Sequence, residues 1–349
     1  MKFTADRRAL RAALVAARRG IDTANPHTTR LLADEASVTV LVVSDGVAIS
    51  VMASADVGEP GEAVIDGDAL SRFVRSAMNG DTVTVEDDQV AGVAGSAVIA
   101  NGDTWEAQPS AHTRVAVLSS RDLRAAARRS LGTAALARTA PAVIRGASLD
   151  IGGGRVTLAS TDTYRLGVHT VAATVFGDVT RFPLPERALR ALANLPRAAL
   201  ATISVDGRTA TIATSTMSVS TTWSIDLHPS IAKVTGDFDG PGRTEIVDVD
   251  TSALVDAVQR HADVVLDIRL EAGGAMFVDS TPIDGVTPRQ STSVALDRDR
   301  LSSLLTMISS PSVEVTIFLV APGQSRTERP VRLSVPGSTI YLQPLRRVR

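Results

Sequence analysis

Apolar residues recur along the chain in two alternating rhythms. Between residues 6 and 19, Leu10, Leu14 and Ala17 fall three and four apart, the spacing of a helix buried on one side. Thr4 stands where it could cap that helix. Arg7, Arg11 and Arg18 form a basic stripe beside the apolar one. A comparable segment follows Ser119-Ser120, with Leu123, Ala127 and Leu131 on its apolar side and Arg121, Arg124 and Arg128 at spacings of three and four. A third follows Asp250, with Leu254, Val258 and His261 as its stripe. A second kind of helix is expected over 68–78 (Leu70, Phe73, Val74, Ala77), over 185–195 (Leu189, Leu192, Ala193, with Pro185 in the first turn) and over 297–308 (Leu301, Leu304, Leu305, Ile308).

Between these helices the period falls to two. Residues 38–51 read as a hairpin on Asp45-Gly46, and residues 201–214 as one on Asp206-Gly207. Segments 82–88 and 91–100 form a further strand pair, 264–279 turns at Gly273-Gly274, and 312–323 meets 329–335. The order is therefore helix, strands, helix, strands, run three times without obvious identity between copies. The expected domains are 1–115, 116–240 and 241–349, each of ordinary size. Strands joined by short hairpins are antiparallel, and each domain's helices must cover one sheet face. The expected fold class is α+β: a triplicated domain with helices on one face.

Composition narrows the chemistry. Of 349 residues, 44% are hydrophobic and 21% charged, as in ordinary soluble globular protein. No stretch approaches the roughly 20 apolar residues of a membrane span. The opening MKFTADRRAL is charged and holds no apolar signal core, so secretion is not expected. The chain has no cysteine, which excludes disulfides, thiolate catalysis and Cys-ligated metals, and a reducing cytoplasm is the expected setting. The net charge is −2, and Lys2 and Lys233 are the only lysines, so any phosphate contact is made mainly by arginine. The five histidines, His27, His112, His169, His228 and His261, are scattered without ligand spacing. Gly152-Gly153-Gly154 lies between strands and reads as a hairpin turn, whereas a phosphate loop would lead into a helix. Catalysis, a cofactor and a metal are not expected. Aromatics make up 3% of the chain, which argues against base-stacking platforms for single strands.

Four segments carry a resemblance: MKFTADRRAL at the start, VTLASTDTYRLGVH at 156–169, LHPSIAKV at 227–234 and IYLQPLRR at 340–347. Together with the triplicated organisation, they make the chain resemble bacterial DNA sliding clamps, the beta subunit of DNA polymerase III. In that family a T-D-G-H-R-L-type motif lines a pocket for short peptides, together with an F-P-containing and a C-terminal M-P-containing segment. The resemblance implies a pocket built from Ile144 on the preceding strand, Thr161, Thr163, Tyr164, Arg165 and Leu166, Pro229, Lys233 and Val234, and Pro330, Tyr341, Leu342, Gln343, Pro344 and Leu345. Such a site needs an apolar floor to bury Leu or Phe side chains and polar groups to fix a peptide. Three positions depart from the family pattern: Thr163 stands for glycine, Tyr164 for histidine and Gln343 for methionine.

The resemblance also implies a head-to-tail homodimeric ring around duplex DNA, with the helices lining the hole and the sheets outside. It implies as partners a DNA polymerase and a clamp loader, each docking through a peptide motif, and no membrane. The function implied is processivity in DNA replication without sequence specificity. The basic stripes give the channel candidates: Arg7, Arg11, Arg18, Arg72, Arg75, Arg121, Arg124, Arg128, Arg187, Arg190, Arg197, Arg298 and Arg300. Contacts of this kind go to phosphate and carry no sequence information. Gln259 and Arg260 stand where the family places an apolar pair at the ring contact. Gln343 and the terminal RRVR leave open an alternative, a specialised or duplicate clamp-like protein with an altered pocket, inhibitor-evading or non-replicative.

Overall fold

A computed structural model of the chain describes residues 1–19, 28–76, 82–87, 89–92, 95–98, 113–135, 140–141, 144–178, 180–197, 199–223, 244–319 and 330–345. The elements run in three rounds. The first is β1 (Lys2–Asp6), α1 (Arg7–Ala17), β2 (Thr28–Asp34), β3 (Ser37–Ser44), β4 (Val47–Glu59), β5 (Gly61–Ile65), α2 (Gly67–Ser76), β6 (Thr82–Glu86), β7 (Gln89–Gly92) and β8 (Gly95–Val98). The second is β9 (Thr113–Ser119), α3 (Ser120–Thr133), β10 (Ala147–Gly152), β11 (Arg155–Thr161), β12 (Arg165–Val175), β13 (Thr180–Leu184), α4 (Glu186–Leu192), β14 (Leu200–Asp206), β15 (Thr209–Ala213) and β16 (Met217–Thr222). The third is β17 (Thr244–Asp250), α5 (Thr251–Arg260), β18 (Val265–Leu270), β19 (Met276–Val278), β20 (Thr281–Ile283), β21 (Thr292–Asp297), α6 (Arg298–Leu305), β22 (Ser312–Phe318), β23 (Val331–Val335) and β24 (Ser338–Leu342). The fold is α+β, and its strand ladders are antiparallel.

Most of these helices start on the same device, a side-chain oxygen that accepts a first-turn N–H which no helical carbonyl can reach. Asp6 Oδ1 accepts from Ala9 N at 2.7 Å, Asp250 Oδ1 from Ala253 N at 2.8 Å and Asp297 Oδ1 from Arg300 N at 2.9 Å. Asp66 Oδ1 takes both Asp68 N and Ala69 N, and Ser119 Oγ takes Asp122 N. Hydrogen bonds from Ser252 and from the Ala253 N–H hold the Asp250 carboxyl below the usual carboxylate range. Thr4, the expected first cap, is instead a strand residue whose hydroxyl meets Thr84 Oγ1 at 2.9 Å. β1 is hydrogen-bonded on both sides, to β4 and β6, so the chain stays extended as far as Asp6 and the cap moves there.

The chain forms two compact units, the first of Met1–Ala127, Asp150–Val156 and Ala172–Asp226, the second of Arg128–Leu149, Thr157–Val171 and Leu227–Arg349. In the first unit, β3 and β4 form the hairpin expected on Asp45-Gly46, whose φ values of 51° and 71° are those of a type I′ turn. β4 also pairs with β16, and the ladder continues through β15 and β14 to β9. Leu10, Ala13, Leu14 and Ala17 form the buried face of α1.

In the second unit, β17, β22, β23, β24 and the first half of β12 form one antiparallel ladder. β20, β19, β18 and β21 form another. Leu254 and Val258 of α5 and Leu301, Leu304 and Leu305 of α6 join one core with Ile340 and Leu342 of β24. Full burial of each leucine contributes roughly 1.5–3 kcal/mol.

The β12–β24 ladder is pinned from below by polar groups. His169 opposes Ser338, and its Nδ1 lies 2.5 Å from Ser338 Oγ. A Cβ on Gly167 would come within 2.4 Å of Thr133 Oγ1 and 2.8 Å of His169 Nε2, so only glycine lets β12 lie this close to them. Thr133 Oγ1 is held in turn by Ser160 Oγ at 2.6 Å.

Burial, helped by the Arg129 charge, lowers the His169 pKa from 6.5 to about 3. Protonation therefore favours the unfolded chain. The contribution of His169 to stability is full above about pH 6.5 and falls as the pH drops toward 3, by up to about 1.4 kcal/mol per pH unit. Denaturant midpoints measured from pH 7 to pH 4 should fall less steeply for His169→Asn than for the unsubstituted protein; parallel pH profiles would show that His169 is not held neutral.

Candidate functional site

Residues 160–166 form a turn that organises itself before anything else touches it. Thr161 Oγ1 accepts from Thr163 N at 3.0 Å and donates to Arg165 O at 2.7 Å. Asp162 Oδ1 accepts from Tyr164 N at 3.0 Å and Arg165 N at 2.7 Å. Its Oδ2 takes the Arg165 guanidinium at 2.8 Å from Nε and 2.7 Å from Nη2. Thr163 sits at φ 77°, the left-handed region that favours glycine. It is therefore the one strained position of the turn, and it is where the resembling family has glycine.

Two long-range contacts fix this turn to α6. Arg165 Nη1 donates to Ser303 Oγ at 2.8 Å, and the Arg300 guanidinium lies over the Tyr164 ring, 3.8 Å from its centroid. Arg300 and Ser303 are three apart and so share one helix face. The C-terminal segment comes in on the other side. Arg165 opposes Leu342 and Leu166 opposes Tyr341, and beyond the strands Gln343 N donates to Tyr164 O at 2.9 Å. Leu345 N then donates to Ala295 O at 2.9 Å.

The structure thus brings together Thr161, Thr163, Tyr164, Arg165 and Leu166 with Tyr341, Leu342, Gln343 and Leu345. Tyr164 is 51% exposed and Leu166 9%. Arg165, Gln343 and Leu345 are half-buried. Leu342 is fully buried in the core of the second unit, so it supports the site from behind and offers no surface to a ligand. Pro344 is buried after β24, and Pro330 is buried at the entry to β23. Ile144 is buried, but it lies in a turn before β10, its N–H on Pro141 O, and not on the strand where it was expected. Pro229, Lys233 and Val234 lie outside the described residues.

The channel candidates separate into groups. Arg11, Arg72, Arg75, Arg121, Arg128 and Arg197 are exposed. Others close helix ends, where unpaired carbonyls carry the negative end of the helix dipole. Arg7 Nη1 reaches Val74 O at 3.4 Å, in the last turn of α2. Arg124 Nη1 donates to Leu195 O at 3.1 Å, past the end of α4. Arg298 Nη1 donates to His261 O at 2.9 Å, at the end of α5. Two more are tied to carboxylates instead: Arg18 binds Asp68, with Gly67 O at 2.9 Å, in the first turn of α2, and Arg190 pairs with Glu186 one turn earlier in α4.

Two candidates lie elsewhere than expected. Arg187 is 5% exposed and donates to Ser44 O at 2.6 Å, Val47 O at 2.5 Å and Val42 O at 3.2 Å, stitching α4 to the β3–β4 hairpin. Burial lowers its pKa to about 10, still charged at neutral pH, but it presents no group to a phosphate. The reason is α4 itself, where Arg187 through Leu189 and Ala191 and Leu192 are all buried. Arg300 belongs with the turn at 160–166, over Tyr164. Ser303, which completes that arrangement, carried no signal of its own in the sequence, and Asp162, the aspartate of the T-D-G-H-R-L-type motif, was not among the candidates. Their roles depend on contacts to α6 or within the turn.

Among the described residues, no cluster of His, Asp and Glu is placed to hold a metal, and no helix is long and apolar enough to cross a membrane. No family model matches the sequence, and no curated protein matches it. Solved structures do match it, over nearly its whole length. The DNA polymerase sliding clamp of Bacillus subtilis aligns at 14% identity and TM-score 0.82, covering 99% of each chain. The DNA polymerase III beta subunit of Thermotoga maritima aligns at 13% identity and TM-score 0.81, again over 99% of each. The corresponding subunit of Pseudomonas aeruginosa aligns at 16% identity and TM-score 0.79, over 99% of this chain and 100% of that one. From end to end, this chain has the fold of the DNA polymerase III beta subunit, the bacterial sliding clamp.

Proposed function

We propose that the protein is a DNA sliding clamp: a non-catalytic ring of two chains that encircles duplex DNA in the cytoplasm and tethers a polymerase and other DNA-handling proteins through short peptides. The observation that carries this reading is the full-length match to sliding clamps, with neither chain leaving an unmatched domain. The three rounds of elements support the three expected domains, and two such chains give a closed six-part ring by a repeated head-to-tail contact. The turn at 160–166 supports the docking role, because it sets an exposed aromatic and the edge of Leu166 beside the C-terminal segment. The exposed arginines of α1, α2 and α3 supply attraction to phosphate without a preferred sequence.

Ring formation is tested first by sedimentation over a concentration series. The expected result is a concentration-independent species of twice the 36.5 kDa chain mass. A strict monomer at micromolar concentration would falsify the homodimeric ring, with Gln259 and Arg260 at its contact as the cause to examine.

DNA affinity should fall steeply with salt. Arg11→Ala and Arg121→Ala should each flatten the log–log salt slope by about 0.9, the change expected for one lost phosphate contact. Arg187→Ala should leave the slope alone and lower thermal stability instead. An unchanged slope in the two exposed variants would remove them from the channel.

A peptide carrying Leu and Phe anchors should bind in a fluorescence titration. Leu345→Ala, at a half-buried position, should weaken it about tenfold with the fold intact, while Leu166→Ala weakens it and also lowers the melting temperature. Full affinity in both variants would place the peptide elsewhere.

A further inference from the structure

The most specific unexplained group at the candidate site is the guanidinium of Arg300. Its Cζ lies over an exposed aromatic ring, 3.8 Å from the centroid, and its side chain is 28% exposed. The nearest carboxylate, Asp297, has one oxygen committed to capping α6 through Arg300 N at 2.9 Å, and the other lies 3.7 Å from Nε, beyond a hydrogen bond. Among the described residues Arg300 Nη1 and Nη2 make no hydrogen bond. The contrast with Arg165 is informative. Arg165 has a partner on each of its three nitrogens, Asp162 Oδ2 on Nε and Nη2 and Ser303 on Nη1, and with a 16% exposed side chain it serves the turn.

Stacking fixes the plane of a guanidinium, while its edge keeps the fork of donors that matches a carboxylate. The freedom that a flexible arginine loses on binding is here already lost. From this geometry we infer that Arg300, held by Tyr164, reads a carboxylate on the docking peptide, so that the partner of this site carries an acidic group beside its apolar anchors. This inference rests on the docking reading above and narrows it: the anchors supply burial, and Arg300 chooses among peptides. Tyr164 is the positioning residue, because it orients the arginine. The carboxylate can come from an Asp or Glu side chain or from the peptide's own C-terminus, and the chemistry at Arg300 is the same.

Three fluorescent peptides sharing one Leu/Phe anchor sequence separate these cases. One carries Glu beside the anchors and an amidated end, one carries Gln there and an amidated end, and one carries Gln and a free carboxyl end. The expected result is that one of the two carboxylate peptides binds the unsubstituted protein about five- to tenfold tighter than the neutral one, and which one does so identifies the source. Arg300→Gln should erase that advantage, so that all three peptides bind the variant equally. Arg300→Lys should keep only part of it, since lysine has charge but no planar fork. Equal binding of all three peptides overturns the inference while the docking reading stands. An advantage that survives Arg300→Gln overturns it too, because another group would then be the reader. If none of the three binds at about 1 mM, the docking reading fails and this inference falls with it.

Discussion

The ladder between Arg165–His169 and Ser338–Leu342 is the constraint on which the candidate site depends. It joins two segments from distant parts of the chain, and a slip of one residue would turn every side chain of β12 to the other face. The register is held at both ends. Below, His169 meets Ser338 and Gly167 admits Thr133 in a space that a methyl group would close. Above, the Gln343 N–H continues the pairing to the Tyr164 carbonyl after the strands have ended. Leu342 anchors the same strand in the core. The positions of Tyr164, Leu166 and Gln343 follow from this register.

Arginine does two kinds of work in this chain, and only one faces outward. Arg7, Arg124 and Arg298 each reach a carbonyl at the end of a neighbouring helix, so the helix pairs are tied by charge–dipole contacts as well as by their apolar faces. Arg187 binds three carbonyls at once, which the three-donor point charge of a lysine matches less well than a planar fork. The near absence of lysine therefore does not convert into a count of DNA contacts. A basic stripe on a helical wheel does not separate Arg7, Arg18 and Arg124, which reach carbonyls on the neighbouring helix or just past its end, from Arg11, Arg121 and Arg128, which stay exposed.

Local signals explain what was legible in the sequence. Asp45-Gly46 specifies its turn because both residues tolerate positive φ, and the observed angles agree. The six helices among the described residues were legible from apolar spacing, as in α1, α5 and α6, each of which buries one stripe. The full-length clamp fold was legible from the thrice-repeated order of elements and four short matching segments. Contacts decided elsewhere were not legible. Asp6 displaced Thr4 as a cap because β4 and β6 hold β1 extended. Arg187 and Arg300 share the composition of the stripe arginines, and only the tertiary fold separates them. Spacing alone could not place Ile144 off its strand, because a proline turn intervenes.

The departures at 163 and 164 make physical sense as a pair. Threonine at φ 77° costs roughly 1–2 kcal/mol relative to glycine. The turn offsets this with contacts that are in place before any ligand arrives: the Asp162 carboxylate on two N–H groups and on Arg165, Arg165 on Ser303, and Tyr164 beneath Arg300. A glycine in its place would leave the backbone more states and the aromatic less fixed. Gln343 puts a half-buried polar side chain where the resembling family has methionine, which in the proposed docking site would reduce the apolar area open to a ligand. A site with less apolar area and a more rigid rim discriminates by geometry and charge rather than by burial alone. For the docking role proposed above, the strained threonine, the plated tyrosine and the polar glutamine would act in one direction, toward a narrower range of partners.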